Sequence, residues 1–133
     1  MDWRECQKNS FVKEVKRDQN LINSLVKASA NKVYSQGLLE LDDFTSSSKI
    51  TLLYDALREL LEALAIFYGY KIYNHECYTA FLKEIMGMSN EASMFDGLRK
   101  IRNGINYYGR QISAEESKKI IADLKLLISK FKH

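Results

Sequence analysis

Ile50-Thr51-Leu52-Leu53-Tyr54-Asp55-Ala56-Leu57-Arg58-Glu59-Leu60-Leu61-Glu62-Ala63-Leu64-Ala65-Ile66-Phe67 decides the fold. Leu53, Leu57, Leu60, Leu64 and Phe67 recur at steps of four and three, and Leu61 widens the stripe. That spacing is the apolar face of an α-helix, in which side chains three and four apart stack on one side. Asp55, Arg58, Glu59 and Glu62 take the other faces, and Gly69 is placed to stop the helix. Thr45 to Ser48 supply candidate N-caps.

Outward from this helix the same period recurs. Upstream, Phe11, Val12 and Val15 form one apolar patch, and Leu21, Ile22, Leu25, Val26 and Val33 follow at near-helical spacing up to Gly37. This predicts either one helix or a short one followed by a longer one. Downstream, Asn74 can cap a third helix through about Met86, with Tyr78, Phe81, Leu82 and Ile85 on its apolar side and Gly87 at its end. Ser89 can cap a fourth, ending at Gly109. Ser113-Ala114-Glu115-Glu116 is a capping box, in which serine and glutamate each satisfy a backbone donor at the other's end. It opens a last helix with Ile120, Leu124, Leu127 and Phe131 in register. The expectation is an all-α single domain over 1–133, an antiparallel up-and-down bundle of four to five helices.

Composition agrees. The chain has 133 residues, 46% of them apolar and 28% charged, and no proline, which favours uninterrupted helices. Two cysteines, Cys6 and Cys77, are too few for a disulfide framework and are expected as reduced thiols. The charged start Met1-Asp2-Trp3-Arg4-Glu5 is unlike a signal peptide. The apolar run Leu60 to Tyr70 is too short to span a bilayer. A cytoplasmic protein without membrane contact is expected.

The chemistry concentrates late in the chain, in Leu98-Arg99-Lys100-Ile101-Arg102-Asn103-Gly104-Ile105-Asn106-Tyr107-Tyr108-Gly109-Arg110. From Asp96 to Arg110 four cations face one anion, giving +3, whereas Glu40 to Glu62 carries six acids and two bases, giving −4. Met94, Leu98, Ile101, Ile105 and Tyr108 form a four-three stripe expected to face the core. Arg99, Arg102, Asn103, Asn106 and Arg110 are then expected mainly on the opposite side. Asn103, Gly104 and Asn106 are poor helix formers, glycine by about 1 kcal/mol relative to alanine, so close packing or function is expected to retain them. Arg102 and Tyr107, five apart, diverge by about 140° around the axis, which suits a site completed across a two-fold axis.

Metal and cofactor chemistry is not expected. His75 and Cys77 have only Cys6 and the terminal His133 for company, too few ligands at workable spacing for zinc, and His75 reads as structural. No Glu-x-x-His pair and no phosphate-binding glycine loop occurs. Tyr54, Tyr68, Tyr70, Tyr73 and Tyr78 read as packing where two helices meet rather than as a base-stacking platform.

The segment resembles the motif of the HEPN superfamily (higher eukaryotes and prokaryotes nucleotide-binding domains): arginine, a polar residue, three further residues, then histidine, on a late helix of a small bundle. Arg102 matches the arginine and Asn103 the polar position, with Gly104, Ile105 and Asn106 as spacer; Tyr107 stands where the family has histidine. Helix number and order are similar over nearly the whole chain. The resemblance implies a homodimer that binds RNA or a nucleotide, and a small nucleotidyltransferase as partner, in some members as toxin to antitoxin. It makes Arg102, Asn103 and Tyr107 the catalytic candidates, and Arg99, Lys100, Arg102, Asn106 and Arg110 the nucleic-acid contacts. Tyrosine, with a pKa near 10, is a poor base at neutral pH, so weak or no catalysis is expected. Some family toxins carry a nucleotide-modified tyrosine just beyond the histidine, near the place of Tyr107 and Tyr108. The alternatives are a metal-independent endoribonuclease and a protein-interaction module that uses the acidic helix from Asp55 to Glu62.

Overall fold

The computed structural model describes residues 1–132; His133, weighed above as a metal ligand, lies outside them. Six α-helices and one two-stranded sheet follow in the order α1 (Trp3–Lys8), β1 (Val12–Glu14), α2 (Gln19–Gly37), α3 (Ser46–Phe67), β2 (Tyr70–Ile72), α4 (Glu76–Ala80), α5 (Ser89–Tyr108) and α6 (Ala114–Phe131). A π-helical turn, Phe81–Ile85, continues α4.

The expected all-α bundle is present, and α3 is its axis. Leu53, Leu57, Leu60, Leu61 and Leu64 are buried, and so are Ile50, Tyr54, Ala56, Ala63, Ala65 and Ile66, so the helix is covered nearly all round. Even Glu59 is buried, with Lys32 of α2 2.9 Å from one of its oxygens. Hydrogen bonds fix the direction of α2. Ser29 Oγ donates to the Ala56 carbonyl at 2.7 Å, and buried Lys49 Nζ donates to the carbonyls of Gln36 and Leu39, capping the end of α2. The two helices are therefore antiparallel. On another side α5 runs back along α3, pairing Arg102 with Asp55 and Phe95 with Tyr54. The Ser113–Glu116 capping box starts α6, and Ser46 of α3 bonds the Ile112 carbonyl just before it. Thus α2, α3, α5 and α6 alternate in direction, and α4 with its π-turn makes the crossing between α3 and α5.

Three expectations are corrected. Phe11, Val12 and Val15 are not helical: Val12–Glu14 pairs antiparallel with Tyr70–Ile72, Val12 opposite Ile72 and Glu14 opposite Tyr70. The segment is too short for a stable helix, and its valines, like Tyr70 and Ile72, suit extended backbone. Gly69 at φ +90° makes the turn into β2, and its carbonyl accepts from Val15 N at 2.9 Å. Secondly, Cys6 and Cys77 are not two thiols but a disulfide, with Cα atoms 6.0 Å apart and both residues fully buried. It ties α1 to α4, where the Trp3 ring also packs on Tyr70 and Phe81. Thirdly, of the tyrosines read as packing, Tyr54 and Tyr78 are buried and Tyr70 half-buried, but Tyr68 and Tyr73 are exposed.

No helix among the described residues is long and apolar enough to cross a membrane.

Candidate functional site

The inward face of α5 differs from the one its apolar spacing suggests. Ala92, Phe95 and Leu98 are its buried residues, while Met94, Ile101 and Ile105 pack only partly against the core. Tyr108, expected inside, is 85% exposed. The helix is rolled so that its arginines turn inward: the Arg99 and Arg102 side chains are only 14% and 15% exposed. The expectation that both lie on the side opposite the core is corrected. Phe95, stacked on Tyr54 at 5.8 Å between ring centroids, sets the roll. One turn further on, the next positions of that face are Arg99 and Arg102.

Arg102 meets Asp55 of α3, while Arg99 pairs within α5. Arg102 Nη2 lies 3.6 Å from Asp55 Oδ1, and its guanidinium carbon stands 5.3 Å from the centre of the Tyr54 ring. With its carboxamide oxygen turned toward the guanidinium, Asn106, one turn on, accepts from Arg102 Nε at 3.1 Å and Nη2 at 3.3 Å. Arg99 donates to Asp96 Oδ1 through Nη2 at 2.9 Å, and Thr79 of α4 bonds the same oxygen. Lys100, 69% exposed, reaches Asp96 Oδ2 at 3.1 Å. Burial opposes ionisation of Asp96, but the Arg99 and Lys100 hydrogen bonds hold its carboxyl below the usual range. Arg58 of α3 donates to Glu62 at 2.6 Å.

His75, just before α4, closes the group. Its Nδ1 is 3.1 Å from the Tyr54 hydroxyl. Burial, then the charges of Arg58 and Arg102, push its pKa down from 6.5 to about 4, so the imidazole is neutral at pH 7. Burial also raises the phenols of Tyr54 and Tyr78, which therefore stay protonated.

The residues singled out in the sequence divide into two groups. Arg99, Arg102 and Asn106 converge with Tyr54, Asp55, Arg58, His75 and Asp96 on the seam of α3, α4 and α5. Asn103 is half-buried, and Tyr107 is 71% exposed on the outer side of α5. Arg110 is half-exposed beyond the helix end, 3.5 Å from Glu116. Tyr54, Asp55, Arg58 and His75 were not among the sequence candidates. The signal that could have found them is the charge polarity itself, because the −4 stretch from Glu40 to Glu62 and the +3 stretch from Asp96 to Arg110 are complementary in sign. On the acidic helix, Glu59 is paired with Lys32, and Glu62 with Arg58 and Lys71.

Among the described residues, no three His, Cys, Asp or Glu side chains group closely enough to hold a metal ion. Compared with protein-family models, with curated proteins and with solved structures, the chain matches none.

Proposed function

We propose that this chain is a HEPN-like helical domain that binds RNA or a nucleotide by its phosphate, with Arg102 as the principal contact and weak or no catalysis. One observation carries the reading. The Arg102 fork is aimed but unsaturated. Tyr54 and Asn106 hold the guanidinium in place, and its only carboxylate neighbour among the described residues is 3.6 Å away, too long for a hydrogen bond. An ion pair of that length at a partly exposed site contributes on the order of 1 kcal/mol or less, so a phosphate can displace it. A planar fork with open N–H groups matches phosphate oxygens bidentately. Arg99 and Arg58, bound to Asp96 and Glu62, supply positive field rather than donors. Exposed Lys100 and Arg110 extend that field along α5 for a longer strand.

The test is salt-dependent binding of a short single-stranded RNA. Affinity should fall as salt rises, since bound cations release counterions. Arg102→Ala should weaken binding about tenfold or more, and Arg102→Lys, which keeps the charge but loses the fork, should recover little of it. Wild-type affinity in Arg102→Ala would end this reading.

Exposed Tyr107 and Tyr108 give the same helix an aromatic edge suited to a second copy of the chain or to a nucleotidyltransferase-type partner. A homodimer with paired α5 helices would appear in sedimentation at micromolar concentration and would be lost in a Tyr107→Ala, Tyr108→Ala double variant. The buried disulfide removes the reduced-thiol ground for a cytoplasmic address.

A further inference from the structure

We infer that His75 is a second phosphate-binding residue of this site, donating its Nε2–H to the same phosphate that Arg102 holds, with Tyr54 as the post that positions both. The inference rests on the phosphate-binding reading above and adds a ligand group that the α5 motif lacks.

Tyr54 is the common support. It is fully buried, its ring carries the Arg102 guanidinium 5.3 Å from the centroid, and the His75 ring centroid is 6.0 Å from the same point. Among the described residues, the only hydrogen-bond partner of its hydroxyl is His75 Nδ1. A buried phenol hydrogen needs an acceptor, and Nδ1 is the one present. Were Nδ1 protonated and donating instead, the phenol hydrogen would be left unsatisfied in the core. The hydroxyl therefore fixes the tautomer: Nδ1 accepts and the hydrogen is on Nε2. Nε2 bonds to no described residue, and His75 is only half-buried, so this donor is left for a solute.

The surrounding charges say which solute. Tyr54, Asp55 and Arg58 face His75 from α3, Tyr78 from α4, and Arg99 and Arg102 from α5. Arg99 and Arg58 are each neutralised by a hydrogen-bonded carboxylate, Asp96 and Glu62, which leaves the loosely paired Arg102 as the cation open to an anion beside His75. Burial, then the charges of Arg58 and Arg102, keeps the imidazole neutral, a donor that does not compete with the arginines for charge. Arg102 supplies a planar pair of donors, and His75 supplies a third from a different element. Three donors from two directions suit a tetrahedral phosphate, which offers several oxygens, better than a flat carboxylate. The same chemistry covers a nucleotide's terminal phosphate and an RNA phosphodiester.

Two-bond proton–nitrogen spectra of the full chain at pH 7 test the tautomer directly, with the His75 signals told from those of His133 by a His75→Gln variant. His75 should appear as the Nε2–H form. Uridine 5′-monophosphate should shift its Nε2 signal together with the Arg102 guanidinium. His75→Ala should weaken uridine monophosphate binding about tenfold, and His75→Gln, which keeps an N–H donor, should recover most of it. Tyr54→Phe preserves the packing, so its circular dichroism should be unchanged while the tautomer preference is lost and binding weakens severalfold. A uridine tetranucleotide without terminal phosphates distinguishes the ligand sources: equal dependence on His75 assigns the site to the backbone, and dependence only for the monophosphate assigns it to a chain end.

An Nδ1–H tautomer overturns the inference, as does a His75 signal unmoved by saturating uridine monophosphate. Both readouts are made on the wild-type chain; only the assignment of the two histidine signals uses the His75→Gln variant. If Arg102→Ala abolishes binding and His75→Ala binds as wild type, His75 is excluded and the phosphate reading survives. If neither matters, both fall together.

Discussion

A single side chain, Tyr54, links the core of this protein to its surface chemistry. Its ring packs on Phe95, its hydroxyl holds His75, and its face bears Arg102. The depressed pKa of His75 has a consequence for stability whether or not a ligand binds. Its folded value, about 4, lies below its value of 6.5 outside the fold, so between these pH values the unfolded chain binds more protons. The contribution is fully present above pH 6.5 and is lost as pH falls toward 4. Urea midpoints measured from pH 7 to pH 4 should fall in wild type and fall less in His75→Gln; parallel curves would show that His75 is not the group responsible. Gly104 gives a second prediction. A Cβ there would meet only Arg110 Cδ at 3.5 Å and Cβ at 3.8 Å, ordinary contact distances. Close packing is therefore not what keeps a glycine in the middle of α5, and Gly104→Ala should stabilise the fold by about 0.5–1 kcal/mol in denaturant titration. A loss of stability would mean that the helix needs the glycine.

Among the elements, legibility in the sequence followed length. The 22-residue α3 and 18-residue α6 were readable because each repeats its apolar pattern over several turns, and α6 announces its start with a capping box. The strands have three residues each, too few for any period to register, and Val12 and Val15 fit a helical spacing by accident. The candidate site was half legible for a related reason. Arg99, Arg102 and Asn106 could be picked from composition, but the roll of α5 could not. Periodicity assigned the inward face to Ile101, Ile105 and Tyr108, and the buried Phe95 with Asp55 of α3 turned it toward the arginines. A salt link between two helices is invisible to a method that reads one helix at a time. His75 was beyond reach for the same reason, since its partners Tyr54 and Arg102 are 21 and 27 residues away in the chain.

In the molecule as a whole, the disulfide is the largest single constraint among the described residues. Cys6 and Cys77 are separated by 71 residues, and a loop of that size lowers the entropy of the unfolded chain by an amount worth about 4 kcal/mol in stability. Reduction under native conditions should lower the thermal midpoint by about 10–15 °C, and the oxidised protein should present no reactive thiol to Ellman's reagent until unfolded and reduced. Two reactive thiols without reductant would show that the bond does not form.

The bond also divides the backbone into a covalent ring and a tail. Residues 6 to 77, containing α2 and α3, form a closed circle, whereas α5 and α6 extend from it. A protease that nicks the connection between Gly37 and Ser46 leaves one covalent piece heavier by a water, which separates only when a reducing agent is added. A nick between Gly109 and Ala114 releases α6 at once from the covalent chain. Arg102 remains on the ringed piece in that case, so mass spectra of cut protein with and without reductant report which half of the bundle still carries the arginine.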